Sequence, residues 1–176
     1  PRERNTQILE QSGARWVLSG NLGSTLISDL DIKLVNLDAP TMSAALADTS
    51  PTPVTRKRNE PAEQVAYLIF TSGSSGEPKA IHKQYRQLLN ELDTLEQAFG
   101  HRLTTDTVFA GTVSHQHIYG LLFRLLWPLA SGRPLVSERL QDPLSLLTRA
   151  QSQPTVWVAS PAHLKRLRHD LPWHNT

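Results

Sequence analysis

One stretch constrains this chain more than any other, because an apolar run passes directly into a loop of glycines and hydroxyl side chains. Residues 67–81 read YLIFTSGSSGEPKAI, so a buried-strand pattern is followed at once by small polar residues and then a lysine. Glycines let backbone N–H groups turn toward an anion, hydroxyls add donors, and a lysine adds a compact positive charge. The stretch predicts a phosphate-binding loop in a protein that handles nucleotides.

The predicted phosphate-binding residues lie in this loop and at its ends. They are Thr71, Ser72, Gly73, Ser74, Ser75, Gly76 and Lys79. The two glycines and the lysine fall at three-residue intervals, whereas the common P-loop requires a Gly-Lys dipeptide followed by Ser or Thr. The spacing therefore disfavours a P-loop nucleotide hydrolase. The alternative interpretation of the same residues is a serine-rich surface turn after a strand.

Composition indicates a globular protein. Of the 176 residues, 39% are apolar, which is enough to build a core, and none is cysteine. The lack of cysteine excludes disulfides and thiolate metal sites, and it fits a cytoplasmic location. The longest apolar run, residues 119–130, is too short to span a membrane and is interrupted by Arg124. We therefore expect a cytoplasmic protein without a membrane span.

Charge singles out no partner, because 18 Lys and Arg are nearly balanced by 16 Asp and Glu, giving a net charge of +2. Two basic clusters, residues 56–58 and 165–169, could contact nucleic acid or an acidic partner, but such runs are usually solvated surface. Aromatic residues are not interleaved with either cluster. A nucleic-acid-binding module is therefore the weaker of two alternative functions.

Apolar and β-branched runs bounded by turn residues predict the strands. They lie at 15–18, 33–37, 66–70, 107–110, 133–136 and 155–159. Helical periodicity predicts helices at 6–12, 83–99, 118–130, 143–151 and 161–168. Most strand runs are continuous, as expected where both faces of a strand are covered. The pattern predicts an α/β fold with a mostly parallel sheet flanked by helices.

The string TSGSSGEPK resembles the signature loop of the adenylate-forming superfamily, which includes acyl- and aryl-CoA synthetases, luciferases and peptide-synthetase adenylation domains. Their consensus reads (Tyr/Phe)-Thr-Ser-Gly-(Ser/Thr)-(Ser/Thr)-Gly-x-Pro-Lys-Gly, and this chain departs from it only at the last position, where Ala80 replaces glycine. The resemblance implies part of the N-terminal domain of such an enzyme, with ATP and Mg²⁺ as cofactors. It also implies an activity that joins a carboxylic acid to AMP.

A second region, residues 117–120, resembles the His-x-x-Gly step of acyl-CoA synthetases. That resemblance implies that His117 closes the mouth of the carboxylate pocket, and it assigns no role to His115. A loop histidine without function is the alternative. His115 and His117 lie two apart and could share one face of a strand, but no cysteine or nearby third ligand completes a site, so we predict no metal ligands.

Adenylation domains that take amino acids carry a Phe-Asp-x-Ser string in this region, and its aspartate pairs with the substrate ammonium. This chain has Ser, His, Gln and His at residues 114–117, so an ammonium would lose its hydration without gaining a counter-charge. The substrate class favoured is a fatty or aromatic carboxylic acid. The resemblance implies that coenzyme A or the pantetheine of an acyl carrier protein accepts the acyl group.

We predict three regions, namely a peripheral α/β segment at 1–47, an exposed linker at 48–63, and the phosphate-loop and acyl-pocket portion at 64–176. The family's later motifs, including the ribose-binding aspartate and the catalytic lysine, are not found in these residues. We therefore expect an N-terminal fragment that is inactive alone and exposes apolar surface through which copies dimerise. The stronger alternative function is a non-catalytic module of the same fold that binds a nucleotide or a partner.

Overall fold

The computed structural model describes residues 2–20, 31–47, 62–72, 77–140 and 142–165. The chain divides into two compact units, Pro1–Tyr85 and Arg86–Thr176. Most of the predicted linker, residues 48–61, lies outside the described residues. The three predicted regions therefore stay predictions.

The described residues of the first unit form two helices and two pairs of strands. In chain order they are α1 (Arg2–Ser12), β1 (Trp16–Ser19), β2 (Lys33–Asn36), α2 (Pro40–Ala47), β3 (Val65–Ser72) and β4 (Pro78–Gln84). β1 and β2 are parallel, with Trp16 opposite Lys33, whereas β3 and β4 form an antiparallel pair. Trp16 and Leu18 point to one side of β1 and are 55% and 66% exposed, so this strand presents apolar surface. Dimerisation through such surface stays a prediction.

The second unit is built on a parallel strand pair with helices around it. Its elements are α3 (Tyr85–Phe99), a 3₁₀ turn (Gly100–Arg102), β5 (Val108–Gly111), α4 (Ile118–Gly120), a π-helical segment (Leu121–Leu126), α5 (Trp127–Ala130), α6 (Pro143–Ser152), β6 (Thr155–Val158) and α7 (Pro161–Leu164). β5 and β6 run parallel, with Phe109 opposite Val156.

β5 is the centre of the core, because all four of its residues are buried. Phe109 is fully buried on one face and packs in a cluster with Leu95, Trp127 and Val158. Val108 and Ala110 point to the other face, where they pack in a second cluster that includes Leu146 of α6. Both faces of the strand are therefore covered, which explains why its sequence is a continuous apolar run. The predicted α/β fold with parallel strands is confirmed.

The prediction of a strand at 133–136 is wrong, because the structure has only an isolated bridge there. Only Leu135 forms a bridge there, parallel to Phe109 of β5. Phe109 N–H donates to the carbonyl of Pro134, and Val136 N–H donates to the carbonyl of Phe109, at 2.9 and 2.8 Å. Pro134 has no N–H to donate, so a regular ladder cannot extend through it.

The helix predicted at 118–130 is helical throughout but not uniformly α. Its middle, Leu121–Leu126, has the wider π geometry between the short helices α4 and α5. Pro128 follows directly and cannot donate to the carbonyl of Arg124 four residues earlier. This missing hydrogen bond explains why the regular α pattern fails at that point, and π segments occur often at functional sites.

Candidate functional site

The predicted phosphate loop is closed by an antiparallel hairpin. β3 pairs with β4 so that Thr71 lies opposite Lys79 and Ser72 lies opposite Pro78. Directly opposed side chains lie on the same face of a strand pair, with Cβ atoms about 5 Å apart. Thr71 and Lys79 are both exposed, whereas Pro78 is buried. The structure therefore brings together the hydroxyl before the loop and the ammonium after it.

Two expectations about this region are corrected. The sequence suggested that Lys79 ends a loop and that a helix starting at residue 83 follows directly. The structure instead places Lys79 inside β4, and the helix begins only at Tyr85, after the strand has ended. β4 was missed because its sequence, PKAIHKQ, is polar and mostly half-buried or exposed, without the apolar run that marks the other strands.

The remaining predicted phosphate-binding residues are not tested. Gly73, Ser74, Ser75 and Gly76 lie outside the described residues, as does the side chain of Ser72. Their roles stay predictions. What the structure supplies is the frame on either side of them, namely the last residues of β3 and the first residues of β4.

The second predicted region lies in the second unit, where β5 passes into α4. His117 is exposed and has extended backbone geometry just before α4. Its carbonyl accepts a 2.8 Å hydrogen bond from Leu121 N–H. Its own N–H donates to the carbonyl of Ser114 at 3.3 Å, which closes a turn over the intervening residues. The role of His117 at a carboxylate pocket stays a prediction.

This histidine-bearing segment, residues 112–117, starts at the carboxyl end of β5. The next strand ends beside it, because Thr112 N–H donates to the carbonyl of Val158 at 3.1 Å. In open α/β sheets, ligands bind at the carboxyl ends of parallel strands. The hydroxyl of Tyr119 donates to the carbonyl of Ala159 at 3.4 Å, and its ring lies 4.8 Å from that of Phe123. Exposed aromatic and imidazole side chains therefore gather at the end of the sheet where a substrate is expected.

Two glycines fix the backbone of this segment by close approach. A Cβ on Gly120 would collide with the carbonyl of Ser114, so α4 packs directly against the segment's backbone. A Cβ on Gly111 would lie 2.5 Å from the carbonyl oxygen of Val158. Side chains at either position would push the segment away from the sheet or the helix.

A cleft of about 200 Å³ opens beside the segment. It is lined by His115, Arg124, Leu125, Leu135, Val136 and Ser137. His115, to which the sequence assigned no role, therefore lines a cleft, whereas His117 is not among its lining residues.

Arg124 is the residue of this region that sequence reasoning missed. It is only 4% exposed, in the middle of the π-helical segment. Nη1 donates to the carbonyl of Val113 at 3.1 Å. Nη2 donates to the carbonyls of Val136 at 3.2 Å, Ser137 at 2.7 Å and Glu138. Burial lowers the pKa of this guanidinium, with the nearby charge of Arg139 acting in the same direction.

Besides the contacts of Arg124, a cluster of polar side chains connects α3 with the start of α5 and the segment that follows α5. Glu96 accepts two hydrogen bonds from Arg133, at 2.7 and 2.8 Å, and one from Nε1 of Trp127 at 2.8 Å. These donors lower the pKa of Glu96, the Arg133 hydrogen bond having the largest effect. The carboxylate also fills the space in which a Gly100 side chain would lie. The cluster therefore joins three parts of the second unit.

Replacing Glu96 by glutamine is expected to lower the free energy of unfolding by about 1 kcal/mol at pH 7, because the bidentate pair is lost in a site partly screened by solvent. A depressed folded pKa means that the carboxylate's stabilisation is present above its unfolded pKa, about 4.3, and is lost as pH falls through the folded value. Urea denaturation at pH 7 and pH 3 should show the difference between native chain and variant shrinking in acid.

The control for this experiment is Asp93→Asn, which changes a carboxylate to an amide on the same helix, one turn away. It is expected to alter stability by less than about 0.5 kcal/mol at either pH. Equal losses in the two variants would show that Glu96 contributes no more than an ordinary surface carboxylate.

The described ranges contain neither a metal-binding cluster nor a membrane-spanning helix. Within them, no group of three His, Cys, Asp or Glu side chains could hold a metal ion. No helix among the same residues has both the length and the apolar character needed to cross a bilayer.

The fold and the loop signature agree with comparisons to known proteins. The sequence profile described as AMP-binding enzyme matches residues 1–175. The chain therefore belongs to the AMP-binding enzyme family, whose members are adenylate-forming ligases, and the resemblance seen in the sequence is confirmed.

Individual relatives cover the chain to different extents. It is 34% identical over 92 residues to the medium-chain-fatty-acid–[acyl-carrier-protein] ligase JamA of Moorena producens, a match that spans 51% of the chain and 15% of the relative. It is 31% identical over 140 residues to phosphinothricin tripeptide synthetase PhsB of Streptomyces viridochromogenes, spanning 79% of the chain and 11% of the relative. The chain thus corresponds to a small part of either protein.

Among solved structures, ATP-bound MatB of Rhodopseudomonas palustris superposes with a TM-score of 0.75. The match covers 95% of this chain and 34% of that one at 19% identity. At this identity the likeness establishes the fold, which is that of adenylate-forming enzymes.

Proposed function

We propose that the whole protein is an acid-activating ligase that uses ATP to form an acyl-adenylate from a fatty or aromatic carboxylic acid. It then passes the acyl group to a thiol of coenzyme A or of carrier-bound pantetheine. The observation that carries this proposal is the hairpin register that sets Thr71 opposite Lys79 at the base of the glycine- and serine-rich loop. Membership of the AMP-binding family supports it.

The hairpin of the first unit would hold the nucleotide's phosphates. Lys79 is exposed and has a compact ammonium with three donors, while Thr71 offers a hydroxyl on the same face. The loop between them contains Gly73 and Gly76, which leave room for backbone N–H groups to face an anion. Donors fixed on a strand pair need little rearrangement when negative charge develops on the leaving pyrophosphate.

The end of β5 would hold the carboxylic acid. His117 is exposed where parallel strands end, and Tyr119 and Phe123 form an aromatic pair nearby. We assign His117 to the mouth of the acid pocket. The turn from Ser114 to His117 brings no acidic side chain, so a substrate ammonium finds no counter-charge on it.

The reaction has two steps, adenylation of the acid and transfer of the acyl group to a thiol, and neither step needs an oxidant or a reductant. A carboxylate oxygen attacks the α-phosphorus of ATP, and the bond from that phosphorus to the bridging oxygen breaks, so pyrophosphate leaves. A thiolate then attacks the acyl carbon, and AMP leaves with the oxygen it gained. Mg²⁺ would supply charge neutralisation on the phosphate oxygens. Proteins usually hold this ion through one or two carboxylates together with the substrate phosphates, and we assign it no ligand among the described residues.

The choice between fatty acids and amino acids is supported by the same segment. JamA is named as a ligase of medium-chain fatty acids and acyl carrier protein, and PhsB as a tripeptide synthetase. The residues at 114–117 favour an acid without an ammonium group. The relative JamA also supports a carrier protein as the acceptor, with coenzyme A as the alternative.

The test is ATP–pyrophosphate exchange by the whole protein with three panels of acids, namely medium-chain fatty acids, substituted benzoic acids and α-amino acids. Exchange is expected with at least one fatty or aromatic acid and with none of the amino acids. Mass spectrometry after adding coenzyme A or a pantetheine-loaded carrier protein then identifies the acceptor by the acyl mass it gains.

Exchange supported by amino acids alone would overturn the substrate class while keeping the adenylation step. No exchange with any acid, together with unchanged nucleotide binding in Lys79→Ala, would overturn the ligase proposal and leave a non-catalytic binding module.

A further inference from the structure

We propose that Arg124 is a positioning residue that sets where the histidine-bearing segment, residues 112–117, lies. This inference rests on the proposed function, in which His117 lies at the mouth of the acid pocket. Arg124 itself is buried, and we assign it no contact with substrate.

The hydrogen bonds of Arg124 link two separate parts of the chain. Nη1 donates to the carbonyl of Val113, the second residue of the histidine-bearing segment. Nη2 donates to three successive carbonyls, from Val136 to Glu138, which follow the bridge at Leu135. A planar guanidinium presents its donors in a rigid fork, so holding both groups of carbonyls fixes their separation.

Stability alone accounts poorly for this arrangement. No carboxylate among the described residues makes a hydrogen bond with Arg124, and its Nε is buried without a hydrogen-bond partner among them. Its hydrogen bonds within the described part of the chain go only to carbonyls, and the favourable charge of Glu138 is opposed by that of Arg139. A buried charge held in this way is costly, and an apolar side chain of similar volume is often neutral or better for stability. An apolar side chain could not make the hydrogen bonds by which the guanidinium holds the two groups of carbonyls at a fixed separation.

The contacts of Arg124 lie where the histidine-bearing segment begins. Its Cδ lies 3.3 Å from the position that a Cβ on Gly111 would occupy, so its stem packs on the last residue of β5. Gly120 packs on the backbone of Ser114 from the other side. The segment is therefore clamped at Val113 and Ser114, and His115 and His117 follow within three residues. A shift at the clamp moves both imidazoles.

The test compares Arg124→Met and Arg124→Lys in the whole protein. Methionine keeps an apolar stem and removes the fork, whereas lysine keeps the charge but has a single donor centre that cannot span both groups of carbonyls. Each variant is expected to raise KM for the acid by about tenfold while KM for ATP changes by less than about twofold, since displacement of a substrate-facing group affects the acid end. Lysine is expected not to restore the native value.

The matched control is Leu147→Ala, a buried side chain on α6 that is 3% exposed and has no part in these hydrogen bonds. Assays are run where circular dichroism shows each variant folded. The control is expected to lower the melting temperature and leave both KM values unchanged. If the Arg124 variants behave like this control, Arg124 is structural only and the inference is wrong.

A second readout separates this inference from the proposed function. With ¹³C-labelled histidine, the ring resonances of His115 and His117 are expected to shift in both Arg124 variants and to stay in place in Leu147→Ala. If no acid supports exchange but the two resonances shift, the ligase proposal fails and the positioning role of Arg124 is supported. If the two resonances do not shift, the positioning role of Arg124 is wrong, whether or not the protein catalyses exchange.

Discussion

Replacing Lys79 by alanine is expected to lower the rate of ATP–pyrophosphate exchange by about 100-fold, the usual cost of removing one fixed donor from a site where negative charge develops. The ammonium lies on the exposed face of β4, opposite Thr71, and the proposal assigns it to the phosphates of ATP. Exchange is measured at saturating acid and ATP, so that a loss reports on the reaction step and not only on binding.

The matched control is Lys83→Ala, which removes the same charge from the same face of the same strand. Lys83 pairs with Tyr67, four residues or about 14 Å further from the loop. It is expected to keep most of the exchange rate. Equal losses in both variants would indicate a general effect of charge on nucleotide attraction, and a normal rate in Lys79→Ala would remove this lysine from the site.

Replacing Phe109 by alanine is expected to lower the free energy of unfolding by about 3–5 kcal/mol, the cost of removing a fully buried aromatic ring. Its ring packs edge-on against Trp127, with centroids 5.0 Å apart, and it lies in the cluster with Leu95 and Val158. Because β5 is covered on both faces, there is little freedom for neighbours to fill the cavity. Urea denaturation followed by tryptophan fluorescence measures the loss.

Leu129→Ala provides the comparison, because it also shortens an apolar side chain but at a position that is 61% exposed. Its effect is expected to stay within about 0.5 kcal/mol. A loss at Phe109 no larger than the loss at Leu129 would mean that β5 is not the centre of the core.

The sequence was most informative where local pattern and burial agree. β5 and β6 were predicted within one residue, because continuous apolar runs are what a strand covered on both faces requires. α3 was predicted nearly to its ends, since its apolar residues recur on one face and Leu95 is buried there. The nucleotide-related signature was recognised because it is contiguous and its family is defined by it.

The sequence was least informative where long-range contacts decide the structure. β4 has no apolar run, and its strand geometry comes from hydrogen bonds to β3. α2 was also missed, as its short sequence PTMSAALA gives almost no amphipathic pattern. A single arginine within an apolar helix does not indicate which groups surround it in the fold. Which carbonyls surround Arg124 depends on segments 11 to 14 residues away, which periodicity does not report.

For the candidate site, the sequence could name residues but not their spatial relations. It proposed Thr71 and Lys79 from the signature, and the hairpin explains how they face each other across the loop. It favoured His117 over His115, while the structure gives His115 a place in a cleft. The role of either histidine depends on the substrate, and no local pattern specifies that.

The number of residues along β4 determines on which face of the hairpin Lys79 lies. Side chains alternate along a strand, so Lys79 faces the same way as Ile81 and Lys83, and opposite to Ala80 and His82. One residue inserted between Lys79 and Lys83, with the pairing beyond it retained, would turn the ammonium to the other side, whereas two would keep its face and displace it by about 7 Å. The position of the Lys79 ammonium therefore depends less on which residues form β4 than on whether an odd or an even number of residues is inserted there.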